Sequence, residues 1–156
     1  MAERPDASTQ TAERELTITR VFDAPRELVW RAWTDREMAM QWAGPQGFTA
    51  LDFKLDPRPG GEWLLKMHSA GSGELTNRGV VREAVEPERL AFTFAWDNED
   101  GTPGHEMLIT IDFADVGGKT EMTFRQGVFE SVEDRDGHRE GWSESFDKLA
   151  GYLARA

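Results

Sequence analysis

Between Phe48 and Phe124 the chain falls repeatedly into an alternation of apolar and polar residues, and the breaks between these runs are short. Phe48 to Asp56 is the first run. Glu62 to Ser69 places Trp63, Leu65 and Met67 on one side and Leu64, Lys66 and His68 on the other. Asn77 to Val85 follows. Arg89 to Trp96 aligns Leu90, Phe92, Phe94 and Trp96, and Met107 to Phe113 aligns Met107, Ile109, Ile111 and Phe113. A last run carries Thr120, Met122 and Phe124. Period two is the signature of strands with one buried face. The interruptions are Pro57 to Gly61, Ala70 to Gly73, Pro87-Glu88, the polar stretch Asp97 to Gly104, and Gly117-Gly118. Strands joined so closely lie antiparallel, because a parallel pair needs a crossover of a dozen residues or more.

Helical spacing brackets this block. Glu15 to Phe22 is one further β-branched strand, ended by Asp23-Ala24-Pro25, and Pro25 suits the first turn of a helix. Arg26 to Trp33 then carries Val29, Trp30 and Trp33 at helical spacing. Thr34 with Glu37 reads as a capping box for a second short helix reaching about Trp42, where Gly44-Pro45 breaks it. At the other end Ser131 to Asp136 is a first turn or a loop. From His138 onward Trp142, Phe146, Leu149 and Leu153 form one apolar helical stripe. A stripe with Trp and Phe needs a large apolar partner, and the concave face of the sheet is the one available. The expected fold is α+β, in the order β-α-α-β6-α, with a curved antiparallel sheet wrapped around a long C-terminal helix.

At 156 residues the chain reads as one domain, expected over residues 14–156. Residues 1–13 are polar, lack an apolar stretch of signal-peptide type, and are expected to be a disordered leader. There is no cysteine, which excludes disulfides and thiolate chemistry and fits a cytoplasmic setting. No apolar run is long enough for a membrane span. A net charge of −11, from 29 acidic against 18 basic residues, argues against nucleic acid as a partner.

Six Trp and nine Phe beside a single Tyr call for a very aromatic core or a lined cavity. The inward candidates for contact with an apolar ligand are Trp63, Leu65, Met67, Val81, Phe92, Phe94, Trp96, Ile109, Ile111, Met122 and Phe124 from strands. Trp142 and Phe146 face them from the helix. A strongly bent sheet cannot touch one helix along its whole concave face, so a pocket of roughly 300–1,000 Å³ is expected there. Taken one by one, these side chains equally suit plain core packing. Arg20, Asn77 and Glu83 share the inward parity and would add polarity to the lining, or else sit at strand ends. Gly79, mid-strand with no side chain, marks a bulge, a bend of the sheet, or room for a ligand or an aromatic ring.

Catalytic patterns are missing. His68, His105 and His138 are far apart in sequence, with no metal-ligand spacing, no nucleophile elbow, no phosphate loop and no dinucleotide fingerprint. Glu130, Glu133, Asp134 and Asp136 read as a charged helix entrance rather than a cation site, and Glu106 and Asp112 show no pairing of catalytic type. No cofactor, metal or catalytic residue is assigned.

The run ITRVFDAPRELVWRAWTDREMAMQWAGPQGF (Ile18 to Phe48) resembles the opening of the START-like (SRPBCC) superfamily. More closely it resembles the branch named after the activator of the heat-shock protein 90 ATPase. PGGEWLLKM (Pro59 to Met67), NRGVVREAVEPERLAFTF (Asn77 to Phe94) and HREGWSESFDKLAGYL (His138 to Leu153) follow in order. The resemblance implies a helix-grip fold and a superfamily habit of holding hydrophobic ligands between sheet and helix. Three functions remain open. The favoured one is non-enzymatic binding of a small apolar molecule. The others are a protein-interaction or chaperone co-factor module, and a START-like cyclase, dehydratase or hydrolase. A homodimer stays open, since no heptad or edge pattern speaks to it.

Overall fold

A computed structural model describes residues 12–155. Seven strands form one antiparallel sheet in the spatial order β1-β7-β6-β5-β4-β3-β2. They are β1 (Leu16–Phe22), β2 (Thr49–Leu55), β3 (Glu62–Ser69), β4 (Gly73–Val85), β5 (Arg89–Trp96), β6 (Met107–Val116) and β7 (Lys119–Gly127). Helices α1 (Arg26–Thr34) and α2 (Arg36–Ala39) carry the chain from one sheet edge to the other, and α3 (Val132–Arg155) closes it. The sheet curls into a half-barrel around α3, as expected of a helix-grip fold. The expected leader falls for residues 1–11 outside the described residues. Ala12 and Glu13 are described, and the Glu15 amide donates to the Ala12 carbonyl.

Each element follows from local chemistry. Gly117 and Gly118 both have positive φ, 67° and 87°, which the two-residue β6–β7 hairpin requires and few other residues tolerate. The α3 stripe of Trp142, Phe146, Leu149 and Leu153 is buried against the sheet. β5 lies at the centre of the sheet. Its Leu90, Phe92 and Phe94 are buried on the concave side, while Ala91 and Ala95 are small enough to be covered on the other.

Several expectations need correction. The cap of α2 is Asp35, whose carboxylate accepts from the Met38 amide at 3.0 Å, whereas the Thr34 hydroxyl turns back to the Trp30 carbonyl at 3.0 Å. That helix ends at Ala39 rather than near Trp42. β4 begins at Gly73, four residues before the alternation suggested, and β6 runs on to Val116. The segment 131–136 is not a loop. Ser131 Oγ accepts from the Asp134 amide at 3.0 Å and caps α3, which starts at Val132. Parity fails at Glu83 because the register between β4 and β5 shifts between Val81 and Glu83; Glu83 turns outward to pair with Arg89 at 2.8 Å. Thr93, on the face of β5 opposite Phe92 and Phe94, is buried although polar, and its hydroxyl accepts from the Val80 amide at 2.8 Å. A Cβ at Gly79 would collide with the Thr93 carbonyl, so the missing side chain there serves a close approach of β5.

Candidate functional site

The concave face is not filled evenly. At its α2–β2 end, beside the N-terminal half of α3, there is a pocket of about 330 Å³. Leu65 and Met67 of β3, Leu75 and Asn77 of β4, and Phe94 and Trp96 of β5 form its floor. Gly44, Pro45 and Phe48 form one wall. Glu133, Asp134, Gly137, His138, Gly141, Trp142 and Ser145 of α3 form the other. The outer residues, Glu133, Asp134 and Gly137, are exposed, so the pocket opens to solvent beside the start of α3.

Of the thirteen expected ligand contacts, Leu65, Met67, Phe94, Trp96 and Trp142 line this pocket. Trp63, Val81, Phe92, Ile109, Ile111, Met122, Phe124 and Phe146 do not, and are fully buried in the hydrophobic core instead. The division has a geometric cause. α3 runs along β1, with Arg139 reaching the Thr17 carbonyl and Asp147 bonded by Arg20, and aromatic rings fill the concave face away from the pocket. The Phe124 and Trp142 rings are 4.7 Å apart, Phe124 and Phe146 5.3 Å, and Trp33 and Trp42 4.8 Å. Trp142 is the ring shared by both regions, meeting Phe94 at 6.3 Å on the pocket side.

Sequence reading missed Gly44, Pro45, Phe48, Leu75, Ser145 and the α3 residues before Trp142. One signal was available. Gly137, Gly141 and Ser145 recur every fourth residue, a stripe of small residues beside the apolar one. A Cβ at Gly137 would meet nothing within 4 Å, and one at Gly141 would meet only Pro45 at 3.8 Å.

The polar groups around the pocket are held by one another. The Trp63 indole N–H donates to Asn77 Oδ1 at 2.9 Å. Trp96 donates to His138 Nε2 at 2.9 Å, while His138 Nδ1 meets the Asp134 carbonyl at 2.8 Å. Trp142 donates to buried Gln126 at 2.7 Å, and Ser145 to the Gly141 carbonyl at 3.1 Å. The Lys148 ammonium donates to the Gly44 carbonyl at 2.8 Å and ties the loop wall to α3; burial pushes its pKa below the usual lysine value, against the opposing pull of Glu144. Arg20 stays outside the pocket, binding Asp147 of α3 at 2.6 Å. His68 is exposed, and His105 meets the Val128 carbonyl at 2.6 Å and does not line the pocket. Among the described residues, no three His, Cys, Asp or Glu side chains gather closely enough to hold a metal ion, and no helix is long and apolar enough to cross a membrane.

The same fold recurs in solved structures. The AHSA1 protein from Silicibacter pomeroyi is 26% identical with a TM-score of 0.80, over 90% of this chain and 97% of that one. A protein from Chromobacterium violaceum is 28% identical with a TM-score of 0.80, over 90% and 96%. An Arthrobacter aurescens protein, at 22% identity and a TM-score of 0.81 over 94% and 89%, shares the fold. No curated protein matches the chain. Residues 23–154 match the family described as Activator of Hsp90 ATPase homolog 1-like protein, a branch of the START-like superfamily, and the chain belongs to that family.

Proposed function

We propose that the chain binds a small apolar molecule in the pocket between β3–β5 and the N-terminal half of α3. The observation that supports this best is the pair Gly137 and Gly141. Inside a helix each costs about 1 kcal/mol relative to Ala. Here both line the pocket, a Cβ at Gly137 would meet nothing within 4 Å, and one at Gly141 would meet only the Pro45 wall. The helix gives up stability at two positions and the space stays open. Around it Phe48, Leu65, Met67, Phe94, Trp96 and Trp142 offer an apolar surface, and methionine adapts its shape to varied ligands. A volume of about 330 Å³ sits at the small end of ordinary ligand sites. The cysteine-free sequence suits a reducing, cytoplasmic setting.

Native mass spectrometry of freshly purified protein, followed by a thermal-shift series of apolar compounds, tests the reading. A co-purifying small molecule, or a melting temperature that rises with one chemical class, is the expected result, since a ligand at a hundredfold excess over Kd adds about 2.7 kcal/mol. A clean unliganded mass with no shift from any apolar class overturns it.

A further inference from the structure

We propose that the pocket selects, among apolar molecules, a neutral or cationic one about two aromatic rings in size with a carbonyl-type acceptor at its inner end, and that it rejects the corresponding carboxylate. This rests on the binding reading above and names the chemistry of the ligand.

The inner end is set by Asn77. It is 2% exposed, and its Oδ1 is taken by the Trp63 indole. Its Nδ2 group has no partner among the described residues. Trp33 Nε1 is the one side-chain nitrogen or oxygen among them that is enclosed by protein without a partner. Asn77 Nδ2 is therefore not enclosed, and the open space that Asn77 borders is the pocket. Every other side-chain donor of the lining is committed: Trp96 to His138, Trp142 to Gln126, Ser145 to Gly141, and His138 to the Asp134 carbonyl. One free amide N–H pair on an otherwise apolar floor is a donor for a carbonyl or ether oxygen. A ligand without that oxygen leaves the amide unpaired.

The charge preference is set by what the lining lacks. It contains no Lys or Arg, and its ionised groups are Glu133 and Asp134 at the mouth. Neither neighbouring cation is part of the lining: Lys148 is held by the Gly44 and Phe48 carbonyls of the loop wall, and Arg135 pairs with Asp136 at 2.7 Å. The positive end of the α3 dipole is already met by Glu133 and Asp134 in its first turn. A carboxylate facing inward would be desolvated without a counter-charge, and one facing outward would meet two like charges. Size follows from volume. The pocket of about 330 Å³ is roughly twice an apolar cavity of about 150 Å³ that takes up one benzene.

Isothermal titration calorimetry of the intact chain at low salt with four naphthalenes decides the matter. The probes are acetonaphthone, isopropylnaphthalene, naphthoate and naphthylmethylammonium. Acetonaphthone is expected to bind about tenfold more tightly than isopropylnaphthalene and about tenfold more tightly than naphthoate, the size of one hydrogen bond or one nearby like charge. Naphthylmethylammonium is expected to bind more tightly than naphthoate. Replacing both mouth acids, Glu133→Gln with Asp134→Asn, should narrow the gap between naphthoate and acetonaphthone. Naphthoate binding as well as acetonaphthone, or isopropylnaphthalene doing so, overturns this selectivity while the binding reading stands. No binding by any of the four overturns both.

Discussion

The indole N–H of Trp96 donates to Nε2 of His138 at 2.9 Å, joining the end of β5 to the first turns of α3 at the edge of the pocket. Indole nitrogen is a donor only, so Nε2 must carry a lone pair and the ring proton must sit on Nδ1, facing the Asp134 carbonyl at 2.8 Å. The neutral imidazole of His138 is therefore expected to be the Nδ1–H tautomer. Long-range proton–nitrogen spectra check this through the shifts of the two ring nitrogens. An Nε2–H tautomer would mean that the Trp96 bond does not form.

Gly137 and Gly141 yield a prediction with two opposed readouts. Gly141→Ala places a methyl in ordinary contact with Pro45 and should stabilise the helix by up to about 1 kcal/mol. Gly137→Leu should leave stability unchanged or higher while filling the pocket, so that uptake of an apolar probe falls. Denaturant unfolding and probe titration on the same variants separate the effects. Loss of stability with uptake intact would show that these glycines serve packing.

The two neighbouring phenylalanines of β5 should respond differently to truncation. Phe92 is fully buried and stacks near Trp63 at 4.6 Å, so Phe92→Ala should cost about 3–5 kcal/mol. Phe94 borders open space, so Phe94→Ala adds less new cavity and should cost less, while altering ligand uptake. Equal losses by chemical denaturation would place Phe94 in a packed core.

Asn77→Leu removes the acceptor of the buried Trp63 N–H and should cost about 1–3 kcal/mol. In a Trp63→Phe background there is no N–H left to orphan, and the same change should cost much less. The double-mutant cycle, measured by unfolding, reads the coupling; additive losses would deny it.

Lys148 gives a pH dependence. Its native pKa lies below the usual 10.5 through burial, Glu144 opposing. Between the native and unfolded values the unfolded chain binds more protons, so this group makes stability rise with pH across that alkaline window. Carbon-detected titration of the Lys148 side chain should show a midpoint below 10.5, lowered further by Glu144→Gln. A midpoint at or above 10.5 would contradict the burial that α3 and the Gly44–Phe48 wall impose.

Much of the fold could be read from the sequence because period two and short turns leave few topologies, and the Trp142–Phe146–Leu149–Leu153 stripe names its own partner. Parity broke down where a backbone irregularity intervened. The register shift before Glu83 reversed its face, and Gly79 served a strand approach that no residue pattern reveals. The pocket was legible as a consequence of curvature but not in position. A strand side chain facing inward looks the same whether it meets α3, as Phe124 does, or empty space, as Leu65 does. The distinction lies in Gly137, Gly141 and Ser145, whose information is the volume they leave out, and in Asn77, whose significance depends on Trp63 occupying only one side of its amide.

The central claim is that an apolar molecule enters between β3–β5 and the start of α3. Intermolecular nuclear Overhauser contacts between bound acetonaphthone and the protein test it most directly. The account predicts contacts to the Met67 methyl, the Leu65 methyls and the Trp142 ring, all lost in Gly137→Leu. Contacts confined to outward residues such as Val80 or Leu108, or contacts that survive Gly137→Leu, would contradict it.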